Sequence, residues 1–468
     1  MKYLLAISIC SALAAGQGAA AQSRPQAIVG ATLIDVAHFG RTQADIDNAV
    51  VVIRNGHIEA VGAAAQVRIP KDARVVHARG QFVIPGLIDG FGSLRSAGFA
   101  HAYLHAGVTT VYVQLAPDGQ DGEQRLVRAA LEPDVRTGVT LSGYAPDGAL
   151  PAVHPWTEHR LHDRRLSAAE LGRAVDAAAT AGHRGILVSL DVWPEQLDTV
   201  LTAARRRQLI VAAEPAFTSY PYAIRAGVSV LIRNDRYQSG LATPQNWLSY
   251  SEDPAGVGVR PAFRDVCETN PAGAEVAAYG GQLAQGTTAL MPMLSIEATA
   301  DDLDTPNPWS SPSAVFVQPA ELDDPVDPRT GARPYLEAHP TRRAELQHCA
   351  WHREELDRAL HAAGAIYLAA SAAPAFGIMP GWGLHEELAL LQRIGLTPRE
   401  ALAAATSNYA DLFGWNDIGR IEPGRTANLV FLSRDPRQDI SAVDAISAVW
   451  LRGVAVDRRG LLPRRTHS

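Results

Sequence analysis

The chain has 468 residues, 47% of them hydrophobic, and a formal charge of −7. That is enough apolar content for a large core, and one barrel-sized domain with a small accessory domain fits the length better than three average domains. The mild acidic balance argues against nucleic acid and anionic membrane as partners, and Arg205-Arg-Arg207 and Arg458-Arg459 are too short to change that.

Residues 1–21 read as a Sec-type signal peptide. Lys2 precedes a short apolar run to Ala15, and Ala19-Ala20-Ala21 offers a small-residue cleavage site before Gln22. The run is too short to span a bilayer and is interrupted at Gly16-Gln17-Gly18, so no membrane span is expected. Cys10 lies behind Ile9, where a lipoprotein signal needs a small residue. The mature protein is therefore expected to be periplasmic or secreted. Cys267 and Cys349 remain, either as a disulfide or as two buried thiols.

From Ala27 to Val83 the pattern is short β-rich runs cut by turns, with Asn55-Gly56 as a hairpin turn between Val50-Val-Val-Ile53 and Ile58-Glu-Ala-Val-Gly62. From Gly86 to Trp415 apolar strands alternate with amphipathic helices, which predicts βα units around a parallel sheet. Predicted strands cover 108–113, 185–190, 209–213, 228–232 and 365–370; predicted helices cover 171–181, 194–207, 344–363 and 384–394. The repeat, with strands too apolar to face water on either side, points to a closed (β/α)8 TIM barrel. Between about 234 and 340 the composition shifts to Pro, Asp, Gly and Trp, and only Thr288–Leu294 reads as a strand, so this stretch is expected to form a lid or an interface.

The stretch Gln81-Phe-Val-Ile-Pro-Gly-Leu-Ile-Asp-Gly-Phe-Gly-Ser93 resembles the amidohydrolase superfamily, in which Pro-Gly-Leu-Ile-Asp leads into His-x-His. Val-Ile-Arg-Asn-Gly-x-Ile-x-x-Val-Gly near the start, together with Ile418–Leu432 and Ala448–Gly453 near the end, resembles the two halves of that family's small β-sandwich. The resemblance implies a composite sandwich from 22–85 and 416–468 around a barrel at 86–415. Within the superfamily the chain is similar to exported imidazolonepropionase/prolidase-like members, which hydrolyse amide and other C–N bonds with Zn or another divalent metal.

The resemblance also places the metal ligands. The His-x-His positions are Phe91 and Ser93, the Lys position is Leu187, the two later His positions are Glu214 and Arg233, and the Asp position is Ala372. Phe, Leu and Ala donate no lone pair, Arg repels a cation, and a lone Ser is a poor ligand. These six positions therefore predict a non-catalytic homologue with no cofactor and no catalytic residues. Such a protein would pair with an active amidohydrolase paralogue or with itself, or hold a small molecule in the barrel mouth. The alternative is a hydrolase of C–N bonds that works by a different mechanism around Glu214 and Arg233. An ion pair between Glu214 and Arg233 is expected, so that neither charge is buried alone.

Other histidine groups carry weaker signals. His348 and His352, like His101 and His105, have i,i+4 spacing but fit packing better than metal binding, and His154, His159 and His162 sit in a polar loop without a carboxylate at ligand spacing. His385-Glu386-Glu387 matches a structural segment of the family. Ser371 has no His placed to activate it.

Overall fold

The computed structural model describes residues 24–115, 126–144, 164–246, 261–300, 306–323, 326–331 and 334–463. The proposed signal peptide and the loop with His154, His159 and His162 lie outside the described residues. At the N-terminal end β1 (Gln26–Leu33), β2 (Ile46–Arg54), β3 (His57–Ala63), β4 (Arg74–His77) and β5 (Phe82–Pro85) follow one another. Asn55 and Gly56 both have positive φ, 52° and 82°, which is the two-residue turn that suits the twist of a hairpin.

The chain then turns at Gly86, where a side chain would run into Thr109, and enters seven strands, of which all but the third, half-buried over its first four residues, are buried along nearly their whole length. These are β6 (Leu87–Gly92), β7 (Val108–Leu115), β8 (Asp134–Leu141), β9 (Gly185–Val188), β10 (Ile210–Ala213), β11 (Val230–Ile232) and β12 (Ala289–Met291). They pair in sequence order and every pair is parallel. Helices such as Ala97–His105, Ala168–Thr180, Pro194–Arg207 and Ala274–Gln285 return the chain between them. Ser167 and Glu170 form a capping box at the start of the second of these, satisfying amides that the first turn would leave open.

Beyond β12 the segment 365–370 continues the sheet. Leu290 N donates to Ile366 O and Leu368 N to Leu290 O, both at 2.8 Å, and on the far side Gly90 N of β6 reaches Ala369 O at 3.4 Å. Tyr409 Oη donates to the same carbonyl at 2.6 Å, and a side chain at Gly90 would collide with that hydroxyl. Inside the curl of the sheet, Tyr112, Tyr409, Phe413 and Trp415 pack together, with Tyr409 and Trp415 stacked at 5.7 Å.

β13 (Leu429–Leu432), β14 (Ile446–Leu451) and β15 (Val454–Ala455) bring the C-terminal end back. β13 lies antiparallel to β5, pairing Val430 with Ile84, so the order is β15-β14-β13-β5-β1-β2-β3, with β4 added beside β1. One eight-stranded sheet is thus built from both ends of the chain, over its own core of Ile28, Val51, Ile53, Val83, Leu429, Phe431 and Trp450. Arg399 ties it to the parallel-sheet unit by a bidentate pair with Asp45, which also accepts from Arg437.

The stretch from 234 to 340 is mostly short elements. Its described parts include helices Pro261–Glu268, Ala274–Gln285 and Leu294–Ala300, then turns at Pro308–Ser310, Pro312–Phe316 and Pro319–Glu321. Cys267 is joined to Cys349 in a disulfide, with Cα atoms 5.1 Å apart, fastening the first of these helices to the long helix Pro340–Ala362. Among the described residues no helix is long and apolar enough to cross a membrane.

Candidate functional site

Parallel strands put all their C-terminal ends on one side, and the six sequence-predicted positions lie there. Phe91 is the penultimate residue of β6 with Ser93 just beyond, Leu187 is near the end of β9, Glu214 follows β10, Arg233 follows β11, and Ala372 follows the segment 365–370. Leu187 and Ala372 are buried in the inner apolar cluster with Ile232, Met291 and Met293, and Phe91 packs half-buried against it. Ser93 is fully buried beside Tyr103, whose hydroxyl accepts from Ser93 N at 3.4 Å. Glu214 continues the inward register of Ile210 and Ala212.

The expected pair between Glu214 and Arg233 does not form. Arg233 Nε reaches Asp235 Oδ1 at 3.2 Å, because the acid two residues on lies closer than the one on the neighbouring strand. Glu214 instead feels Arg236 and Arg233 through space, while burial pushes its pKa upward. Around it the mouth carries charges that the sequence reading missed. Asp235 also contacts Arg236 at 3.5 Å, and the buried Arg353 pairs with Glu297 and donates to Cys349 Sγ at 3.2 Å. One end of the sheet is therefore split. Leu187, Ile232, Met291, Met293 and Ala372 give it an apolar part, and Glu214, Arg233 and Asp235 a charged one.

Three successive strand ends are strained. Arg233, Met293 and Ala372 have φ of 64°, 53° and 57°, in the region that side chains disfavour. Strain of this kind persists only where surrounding contacts impose it, and it clusters at functional sites. At Arg233 the backbone is held by Arg233 N to Met291 O at 2.9 Å and by Tyr237 N donating back to Arg233 O at 3.1 Å.

Beneath the mouth two buried carboxyl groups join its parts. Asp89 on β6 accepts from Ser371 N and Oγ, and burial raises its pKa to about 6. Glu387 accepts from Leu294 N at 3.1 Å and Ser295 N at 2.8 Å, and burial raises its pKa to about 8. Over the same rim lies the segment 306–323. Arg95 grips Asp323 with both terminal nitrogens, Asp323 N donates to Pro374 O at 3.2 Å, and Gly377 N donates to Asp323 O at 2.9 Å.

A model of the amidohydrolase family matches residues 349–456. Among solved structures, the bottromycin amidohydrolase is similar with TM-score 0.65 and 19% identity, covering 94% of this chain and 88% of that one. Molinate hydrolase is similar with TM-score 0.60 and 17% identity over 96% and 99%, and a Xaa-Pro dipeptidase crystallised with methionine in its active site with 0.59 and 15% over 92% and 99%. The chain has the amidohydrolase fold. No curated protein sequence matches it.

The weaker histidine candidates of this amidohydrolase-like chain lie in packing roles. His352 contacts Thr269 O at 2.7 Å and His348 is exposed. His105 packs on Phe316, and His385 is held between Asp444 and Ala106 O. Among the described residues no three His, Cys, Asp or Glu side chains are grouped to hold a metal ion. Ser371 is fully buried with its hydroxyl committed to Asp89.

Proposed function

We propose that this protein is an exported, non-catalytic amidohydrolase homologue that holds a small molecule in the mouth of the sheet. In this reading residues 1–21 are a signal peptide, segment 365–370 is the eighth strand of a closed barrel, and 22–85 with 416–468 form the sandwich. Segment 234–340 is then the surface toward a paralogue or a second copy. The disulfide between Cys267 and Cys349 suits an oxidising compartment.

The observation that carries the reading is the chemistry of the six strand-end positions. A divalent metal in this fold needs nitrogen and oxygen donors converging at the mouth. Phe91, Leu187 and Ala372 belong instead to one apolar cluster, Arg233 brings a positive charge, and Ser93 is buried against Tyr103. Glu214 alone does not hold Zn2+ against water. This donor set does not fit the metal.

A second reading, a hydrolase with another mechanism, is favoured by one observation. The raised pKa of Glu214 is a property of general acids and bases. The two separate in a hydrolysis assay of the purified protein on Xaa-Pro dipeptides and N-acyl amino acids, with and without Zn2+, Mn2+ and Co2+. The non-catalytic reading expects no turnover above buffer. Turnover that disappears in Glu214→Gln would replace it with the second reading.

A further inference from the structure

The disulfide that fastens helix Pro261–Glu268 to helix Pro340–Ala362 has two unlike sulfurs. Cys267 is half-buried, whereas Cys349 is 8% exposed. A thiolate arriving from solvent therefore meets Cys267 first, and access is one of the factors that decide which sulfur is attacked. Cys349 is then the leaving group. One turn further along its helix, Arg353 Nη1 donates to Cys349 Sγ at 3.2 Å, so a charged donor already stands where negative charge develops.

Acids also surround Arg353. Glu297 is bonded at Nη2, Asp235 pairs with Arg233 and Arg236, Glu354 pairs with Arg393, and Asp357 accepts from Tyr237, Tyr367, Asn234 and Gln238. These acids are in place whether the disulfide is open or closed, and the group that gains charge when it opens is the sulfur at Nη1. Opening the bond also leaves the two helices joined. Val266 is buried in the core, His352 Nε2 lies 2.7 Å from Thr269 O, and Asp265 accepts from Thr243 and Asn246. The two sulfurs are thus held opposite each other after the bond is cut.

We propose that Cys267 and Cys349 form a reversible exchange couple for low-molecular-weight thiols, with Cys267 carrying the mixed disulfide and Cys349 acting as the leaving and resolving thiolate. The incoming thiolate forms an S–S bond to Cys267 Sγ, the bond between the two cysteines breaks, and its electron pair goes to Cys349 Sγ beside Arg353. Return attack by Cys349 on Cys267 expels the small thiolate and restores the disulfide, so this cycle needs no oxidant. A second small thiol attacking the mixed disulfide instead completes the reduction and leaves as its own oxidised dimer. Arg353 is the positioning residue of the couple.

Reduced glutathione is the probe. The purified protein is incubated with it at millimolar concentration and quenched with excess N-ethylmaleimide, which caps the released sulfur, and the mixed disulfide is located by peptide mass spectrometry. Glutathione is expected on Cys267 about tenfold or more over Cys349, and the native disulfide is expected to return when glutathione is removed before the quench. Arg353→Met is expected to slow formation of the mixed disulfide by about tenfold, with Arg353→Lys between it and the wild type. A merely structural role for Arg353 would loosen the helices and speed the exchange. Melting curves show which variants are folded, and the mapping in the wild type decides the proposal where a variant is not. Glutathione mainly on Cys349 or equally on both, no mixed disulfide at all, or an unchanged or faster exchange in folded Arg353→Met overturns it.

Discussion

Ser371 Oγ donates to Asp89 Oδ2 at 2.5 Å while Ser371 N donates to Asp89 Oδ1 at 2.9 Å, joining the first strand of the parallel sheet to the segment that follows its last. The two residues are 282 apart in sequence, and both are fully buried. Replacing Ser371 by Ala leaves a buried carboxyl short of a donor, which costs about 1–3 kcal/mol. Asp89→Ala removes the group that Ser371 and Phe91 N both bond, and a larger loss is expected. Urea denaturation of the two variants checks the order.

Glu387 gives a pH signature with a definite sign. Its pKa is raised to about 8 in the folded protein from 4.5, so between those values the folded state keeps a proton that the unfolded chain has lost. Stability therefore falls as pH rises through that window, by up to about 1.4 kcal/mol per pH unit for each such group. Asp357 and Asp89, raised to about 6, act in the same direction at the lower end. Glu387→Gln keeps one acceptor for the two amides of Leu294 and Ser295, lowers stability at every pH, and is expected to flatten the decline between pH 6 and 8. Denaturation midpoints at pH 5, 6, 7 and 8 measure it, and an unchanged slope in the variant would sink the assignment.

Asp45 acts oppositely. Burial works against its charge, but Arg399, Arg437 and the Asp35 amide outweigh that and hold its pKa at about 2. Its contribution is present above the ordinary 3.8 and is lost as pH falls through that range toward 2. Because it bridges the two ends of the chain to the parallel-sheet unit, Asp45→Ala is expected to cost about 1–3 kcal/mol at neutral pH and much less near pH 2. Thermal melts at both pH values give the comparison.

Reduction of the disulfide is predicted to destabilise the region beside the charged mouth. Cys267 and Cys349 are 82 residues apart, and closing a loop of that size stabilises by about 2–4 kcal/mol. A lower melting temperature in dithiothreitol, reproduced by a Cys267→Ser, Cys349→Ser double variant without reductant, is the expected result.

Much of the scaffold was legible in the sequence because it follows local rules. Asn55-Gly56 makes the hairpin, Thr397 and Glu400 cap the helix that Pro398 opens, and the apolar runs at 108–113, 210–213 and 230–232 are strands. β8 went unread, because Asp134, Arg136 and Thr137 break the apolar run by which the other strands are recognised. The run 288–294 ends early, since Met293 turns to positive φ and a helix starts at Leu294. At the site, sequence reasoning found strand-end positions one by one but not their neighbours. Glu297 meets Arg353 across 56 residues and Asp89 meets Ser371 across 282, distances over which no local pattern speaks. The failed pair of Glu214 and Arg233 has the converse cause, since Asp235 is a competitor two residues away that was in plain view.

The proposed function requires strand ends that do not hold a metal, and elemental mass spectrometry on the purified protein tests this. The protein is incubated with Zn2+, Mn2+ and Co2+, desalted, and its metal content is measured. Phe91, Leu187, Arg233 and Ala372 at the mouth predict retention near zero. Retention of about one ion per chain that is lost in Glu214→Gln would contradict the account and restore a metal-dependent hydrolase as the reading.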